Sequence, residues 1–293
     1  MSFFIENPIV RNYKDAYLHI INDNSYCYDN NKNFIRESND SCYLFNGRCS
    51  PPGVAQENIS LNIKIVPFIT HFHTGVHAYS GVYSILYQYL KQGISKDDYK
   101  IAIYQNIQTG ILDILYQFFN EDEIILLEPN VIYKFLEIKL IPNSLHSFLE
   151  NHSTSSEISN LILGKIKSDT SIKYPKKIAI IKTINSSVTS TMGAINKDSA
   201  KKYCDDNGFL MIEPSEIGEV SLANYVNNCE EIILSWGTTF MKNFIYLSEN
   251  AIKATVLVYG QEFRYEYENA LSRDIIVKKY KNCEFNYELN KQI

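Results

Sequence analysis

Hydrophobic residues recur along the chain with two spacings, about every second residue and about every 3.6 residues, which are typical of strands and helices respectively. Residues 1–60 show only short apolar stretches interrupted by Asn-rich segments, which predicts short strands and loops there. From residue 59 onward, strand patterns alternate with helix patterns. Such alternation predicts a mostly parallel sheet with helices on both faces.

The first half contains the predicted strands ISLNIKIVPFIT, YKIAIY and EIILLE, the predicted helices GVHAYSGVYSILYQYLKQG and GILDILYQFFN, and the apolar run VIYKFLEIKLI. The second half contains the predicted strands KKIAIIKT, FLMIEP, EEIILSWG and IKATVLVY and the predicted helices NKDSAKKYCDDNG, VSLANYVNNC and TTFMKNFIYLS. Gly93 and Gly208 are expected to end their helices, because glycine tolerates a left-handed backbone. Asn196 is expected to cap the start of its helix.

The polar, Ser-rich segment LENHSTSSEISN predicts a domain boundary near residue 155. We therefore expect an amino-terminal α/β domain over residues 1–155 and a Rossmann-like domain over residues 156–265. Residues 266–293 are expected to form a tail that crosses back to the first domain.

Composition narrows the class of protein. Hydrophobic residues make up 45% of the 293 residues and charged residues 21%, which suits a folded chain with a full core. The net charge of −5 and the scattered basic residues argue against nucleic-acid binding. No apolar stretch approaches about 18 residues and no signal-peptide pattern begins the chain, so we expect no membrane span and a cytoplasmic setting.

Three of the six histidines, His71, His73 and His77, fall within THFHTGVHAYSGVYSILYQYL, and three interpretations are open. They could converge on zinc, but no Cys or carboxylate lies nearby in the sequence, and we expect no metal. They could instead be structural or solvent-exposed. The third interpretation makes His77 or His73 a catalytic general base for an acceptor hydroxyl, since imidazole titrates near neutral pH.

The segment EIILSWGTTFMKN predicts a strand that runs through a turn directly into a helix. The turn comprises Trp236, Gly237, Thr238 and Thr239. Amides at the start of a helix bind phosphate through their unpaired N–H groups and the helix dipole, so the turn is a candidate site for a nucleotide diphosphate. The alternative is an ordinary helix start, in which Thr238 is the N-cap and Trp236 only packs.

Two further strand ends would lie on the same sheet edge. Lys182 and Thr183 end KKIAIIKT, where the lysine charge could offset that of a leaving diphosphate. Glu213 and Ser215 follow FLMI and would reach a nucleoside ribose or base if the sheet is doubly wound. For Lys182, the alternative is an exposed lysine at the end of a strand. For Glu213 and Ser215, the alternative is that they cap the loop after their strand.

The order of these motifs over roughly residues 65–260 resembles that of family 61 glycosyltransferases. The residues that carry the resemblance are Lys182 after the first strand, Asn196 before the helix, Gly208-Phe209 entering the next strand, Trp236-Gly237-Thr238 at the turn and Asn243-Phe244 after it. In the first half, EDEIILLEPNVIYKFLEIKLIP resembles a hairpin of that family. Trp236 stands where the family usually has His, and Lys182 where it usually has Arg.

The resemblance implies an α/β, GT-B-like fold with two Rossmann-like domains facing a cleft. It also implies an inverting, metal-independent glycosyltransferase that transfers a sugar from a nucleotide-sugar donor to a glycan or other hydroxyl acceptor. The nucleotide sugar is then a substrate, and no cofactor is expected. Two alternatives stay open: a catalytically inactive glycosyltransferase-like binding or scaffold protein, suggested by Trp236, and a different GT-B-like transferase such as a sialyltransferase.

Overall fold

A computed structural model describes residues 9–21, 24–38, 51–54, 57–68, 75–141, 152–166, 171–183, 195–235, 243, 245–247, 253–257, 283–286 and 289. The chain divides into two compact units, Met1–Phe148 and Leu149–Ile293. Across the described residues, no helix is both long and apolar enough to cross a membrane.

The first unit contains a six-stranded mixed sheet and two α-helices among its described residues. Its strands are β1 (Arg11–Ile21), β2 (Asn24–Tyr28), β3 (Ile59–Pro67), β4 (Lys100–Tyr104), β5 (Ile124–Leu127) and β6 (Ile132–Leu140), and its helices are α1 (Gly75–Lys91) and α2 (Thr109–Leu115). The strand order is β2-β1-β6-β3-β4-β5. Strands β6, β3, β4 and β5 run parallel, whereas β1 is antiparallel to both of its neighbours. The parallel prediction therefore holds for only part of this sheet.

Helix α1 belongs to the core rather than to the surface. Every residue from Val82 to Tyr89 is buried, which requires neighbours on all sides of the helix. Gly93 follows the helix with a φ of 61°, and its N–H donates to the carbonyl of Leu90 (3.1 Å). The predicted helix end at Gly93 is confirmed.

The sheet of the first unit curls on itself between β5 and β6. These strands lie three places apart in the strand order, yet only residues 128–131 join them. Such a link reaches at most about 18 Å, so the two strands approach one another by curvature of the sheet. Leu127 and Tyr133 accordingly share one hydrophobic core, and the Glu128 N–H donates to the Tyr133 hydroxyl (3.0 Å).

The hairpin expected for EDEIILLEPNVIYKFLEIKLIP is wrong. Strand β5 pairs with β4 at one edge of the sheet, whereas β6 is central and pairs with β1 and β3. The physical reason is that a short Pro-Asn link between two apolar runs suits a hairpin and a curled sheet equally well. Which strands pair is then decided by burial of both faces of β6, a long-range effect.

Strands β1, β3 and β6 of this sheet are irregular at neighbouring positions. Asp15 in β1 has a left-handed backbone with a φ of 48°, and the register of β3 against β6 shifts between Leu61 and Lys64. In β6, Phe135 and Ile138 both belong to the same core although they are three positions apart, an odd number. The period of two is therefore interrupted between them, as in a β-bulge.

The second unit contains a parallel sheet and three α-helices among its described residues. Its strands are β7 (Lys177–Ile180), β8 (Leu210–Met211), β9 (Glu231–Ser235), β10 (Lys253–Leu257) and β11 (Cys283–Asn286), and its helices are α3 (His152–Lys165), α4 (Lys197–Asn207) and α5 (Glu219–Asn228). The strand order is β8-β7-β9-β10-β11, and every described pair is parallel. The prediction of a mixed α/β protein with parallel strands is confirmed.

The structure bears on two predicted domain features, the tail over residues 266–293 and the boundary near residue 155. Residues 283–286 of the expected tail form β11, which pairs with β10 inside the second unit, where the sequence suggested a return to the first domain. Helix α3 runs through residue 155, where the polar segment suggested a boundary. The finer division at residues 155 and 265 stays a prediction.

Both predicted caps of α4 are confirmed. The Asn196 side chain accepts hydrogen bonds from the backbone N–H groups of Asp198 (3.0 Å) and Ser199 (3.1 Å). Gly208 ends the helix with a φ of 73°. These contacts satisfy amides and carbonyls that a helix otherwise leaves unpaired.

Replacing Asn196 with alanine should lower the free energy of unfolding by about 1 kcal/mol, because two helix amides lose their acceptor. Asn196→Ser and Asn196→Asp, which keep a capping oxygen, serve as controls and should retain most of the stability. Urea unfolding of the three variants measures this. Equal losses in all three would show that the cap hydrogen bonds contribute nothing.

Candidate functional site

The strand order of the second unit defines a position where ligands bind in open α/β sheets. From β7 the chain moves outward to β8, and then returns past β7 to β9 on its other side. At such a reversal the loops after the two central strands diverge, and a crevice opens at their carboxyl ends. The residues that follow β7 and β9 are therefore the first candidates for a binding site.

Lys182 and Thr183 lie at the carboxyl end of β7, as predicted. The Lys182 N–H donates to the Ser235 hydroxyl at the end of β9 (2.8 Å), and the Ile195 N–H donates to the Lys182 carbonyl (2.9 Å). Thr183 is buried and pairs with Ile195 in a short parallel bridge. The backbone of Lys182 is therefore fixed from both sides at the reversal point.

The ammonium group of Lys182 is partly withdrawn from water. Burial lowers the pKa of this lysine, because desolvation disfavours the charged form. An anionic ligand beside it would oppose that effect and raise the pKa again. This environment suits a lysine that binds a phosphate group.

Ser235 was missed by reasoning from the sequence. It is buried at the last position of β9, and its hydroxyl joins β9 to the end of β7. The available signal was a single polar residue closing the apolar run EIILS, which predicts a strand end but not its partner 53 residues away.

Glu213 follows β8 at the same edge of the sheet. Its side chain is only 10% exposed, and its Oε1 lies 3.2 Å from Nζ of Lys197, at the first position of α4. Ser215, two residues further on, is exposed. The structure thus brings Glu213 together with Lys197, which the sequence analysis did not single out.

The predicted donor turn, Trp236, Gly237, Thr238 and Thr239, lies outside the described residues. The residues after it are anchored in the second unit. The Tyr246 hydroxyl donates to Oε1 of the buried Glu219 on α5 (2.9 Å), and the Ser159 hydroxyl of α3 donates to the carbonyl of Ile245. In the sequence, the turn lies between the end of β9 and this segment.

The predicted histidine cluster falls largely outside the described residues. Strand β3 ends at Pro67 and α1 begins at Gly75; His71 and His73 lie in the sequence between them. His77 is the third residue of α1, and its side chain is also outside the described part. Within the described residues, no three metal-ligating side chains of His, Cys, Asp or Glu come together.

In comparisons with known proteins, no family model matches the chain and no curated protein matches it. The resemblance to family 61 glycosyltransferases therefore depends on the motifs quoted above. The observed fold and the residues at the β7–β9 reversal are independent of that resemblance.

Proposed function

We propose that the chain is a glycosyltransferase of the inverting, metal-independent kind, which transfers a sugar from a nucleotide-sugar donor to a hydroxyl acceptor. The observation that carries the proposal is the position of Lys182. It follows β7 at the reversal of strand order, and its backbone is tied to Ser235 at the end of β9. This is where a doubly wound sheet binds nucleotides.

The chemistry assigned to these residues is electrostatic. During transfer the acceptor oxygen forms a bond to the anomeric carbon, and the bond from that carbon to the diphosphate oxygen breaks. The diphosphate leaves with the bonding electron pair, so negative charge grows on it in the transition state. Lys182 would stabilise that charge, and amides of the turn at Gly237, Thr238 and Thr239 would donate to the same phosphate oxygens.

The remaining roles come from the sequence motifs and the resemblance, and they are part of the proposal. Glu213 and Ser215, beyond β8, would bind the nucleoside, and Trp236 would contact the donor. His77 or His73 would accept the proton of the acceptor hydroxyl as the new bond forms. The GT-B arrangement implied by the resemblance is part of the proposal.

Replacing Lys182 with methionine should weaken binding of nucleoside diphosphates by about 10- to 100-fold, because a charge-assisted contact to phosphate is lost. Methionine keeps most of the length of the side chain and removes its charge. The matched control is Lys177→Met. Lys177 lies at the opposite end of β7, where its Nζ is 3.1 Å from Oε1 of Glu231. Replacing it should leave nucleotide affinity unchanged. Calorimetric titration with UDP, GDP, CDP and ADP measures both variants.

If none of these nucleotides binds to the unmodified protein, the proposed donor site is wrong. Equal losses in the two lysine variants would also contradict it, since a general charge effect would then explain the change. Nucleotide binding without donor hydrolysis or transfer would identify a binding protein instead of an enzyme, the alternative that Trp236 suggests.

A further inference from the structure

His19, in β1, is a buried histidine that the proposed function does not use. Its side chain is 8% exposed, and its Nδ1 atom is enclosed and makes no hydrogen bond to any described residue. Buried polar side chains normally have a hydrogen-bond partner. The absence of one matters here because a histidine gains an N–H group when it is protonated.

The surroundings of His19 favour the neutral ring. A neutral imidazole has one N–H group and can carry it on Nε2, which leaves Nδ1 as an acceptor without a hydrogen. An imidazolium has N–H groups on both nitrogens, and at His19 the second one would face an enclosed space without an acceptor. Burial also disfavours the positive charge, which lowers the pKa of His19.

The residues paired with His19 supply no carboxylate that could stabilise a charged ring. Tyr26 lies opposite in β2, and Ile132 lies opposite in β6. Burial raises the pKa of the Tyr26 phenol, so this group is uncharged at acid and neutral pH. Protonated His19 would therefore be a cation between an uncharged phenol and an aliphatic side chain.

The charged groups on the same side of β1 surround Tyr17, two residues before His19. Alternation along the strand places these two residues on one face. The ammonium groups of Lys32 and Lys134 lie 5.9 Å and 6.0 Å from the centre of the Tyr17 ring. The Asp15 carboxylate is 60% exposed and lies 3.9 Å from Nζ of Lys134. These groups give an imidazolium at His19 two further cations nearby and a carboxylate that already has a partner.

His19 lies where the β1–β2 strand pair joins the rest of the sheet. Strand β2 is at the edge, and β1 connects it to β6. His19 is paired with both neighbouring strands. The same face carries a small hydrophobic cluster that spans the three strands and contains Tyr17, Tyr28, Val54 and Ile132. A charge at His19 would therefore weaken the contact between the strand pair and β6.

We propose that His19 is a pH-sensitive switch for the β1–β2 strand pair, which neutral His19 keeps on β6 and protonated His19 releases. In an opened or unfolded chain, His19 binds a proton near its ordinary pKa of about 6.5. In the closed strand pair it binds a proton only at lower pH. The stability that neutral His19 contributes is therefore present in full above about pH 6.5 and is lost as the pH falls through the lowered pKa.

The first test compares the unmodified protein with His19→Gln, whose side-chain amide does not titrate. Urea unfolding is followed at two pH values. Between about pH 7.5 and about pH 5.0, the equilibrium constant for unfolding should rise about 5- to 30-fold more in the unmodified protein than in the variant. His19→Phe replaces the imidazole with another ring that does not titrate, and it is used if the glutamine variant does not fold. Equal pH dependence of the unmodified protein and a folded variant would overturn the switch.

Tyr26→Phe is the matched control, because it changes the residue opposite His19 without removing a group that titrates in this range. It should keep the full pH dependence of the unmodified protein. A loss of pH dependence as large as that of His19→Gln would show that the response does not belong to His19, and would overturn the proposal.

The second test asks whether the strand pair opens by itself. Hydrogen exchange is measured for the amides of β1, β2 and β4, with each rate corrected for the intrinsic effect of pH. At about pH 5.0 the β1 and β2 amides should exchange about 10-fold faster than those of β4, and their corrected rates should rise on acidification in the unmodified protein but not in His19→Gln. Equal corrected rates in the three strands would show that His19 acts only through unfolding of the whole unit, which would overturn the switch.

Discussion

Replacing His77 with alanine is expected to slow sugar transfer by about 10²- to 10⁴-fold while nucleotide affinity stays unchanged, because proton removal is needed only in the transition state. If His73 is the base, the loss falls on His73→Ala instead. Single-turnover rates of the two variants, each normalised to folded protein, separate these cases. In the unmodified protein the rate should also rise with pH, because the general base must lose its proton to accept that of the acceptor.

His71→Ala is the matched control, since this residue belongs to the same short sequence but is not assigned to catalysis. It should keep its rate and its pH profile. Small, uniform effects of all three substitutions would reject the general-base assignment. A loss of stability with an unchanged rate per folded molecule would identify the histidines as structural.

The second large effect is a loss of stability when Phe135 is replaced with alanine. This residue is 1% exposed in the core of the curled sheet, and its ring stacks on that of Tyr133 with 6.0 Å between centroids. Phe135→Ala should lower the free energy of unfolding of the first unit by about 3–5 kcal/mol, through lost burial and the cavity left behind. Its neighbour Leu136 is 41% exposed, so Leu136→Ala should cost much less.

The two units offer separate signals for this measurement. The chain has one tryptophan, Trp236, which belongs to the second unit, whereas circular dichroism reports on both units. Urea unfolding followed by circular dichroism should show a lower midpoint for Phe135→Ala than for Leu136→Ala, and tryptophan fluorescence shows whether the second unit unfolds in the same transition. Similar losses for the two variants would contradict the position of the irregularity in β6.

The second unit follows closely from local sequence signals. Strands β7 to β10 are short, largely apolar runs, and the helix between β7 and β8 begins with Asn196 and ends with Gly208, whose backbone roles depend only on nearby residues. Strand β11 (CEFN) has no such pattern and was not predicted. The strand-end position of Lys182 could be predicted for the same reason.

Long-range pairing explains what could not be predicted. Nearly every residue of VIYKFLEIKLI is apolar or amphipathic, so the pattern does not show that Leu136 is exposed or that β6 pairs with β1 and β3. Ser235 and Lys197 each meet their partner, which lies on a different element, only after the sheet has formed. The sequence indicates where strands end, but not which ends become neighbours.

The central position of β6 has a consequence for synthesis of the chain. Tyr17 of β1 pairs with Lys134 of β6, so β1 leaves the ribosome long before its partner is made. Until then the edge of β1 that later pairs with β6 stays open, and nascent chains with such edges are prone to associate with one another. Translation must proceed past residue 140 before the first unit can complete its sheet. A chain stopped before Ile132 would contain two sheet fragments, β2-β1 and β3-β4-β5, with no hydrogen-bonded strand between them.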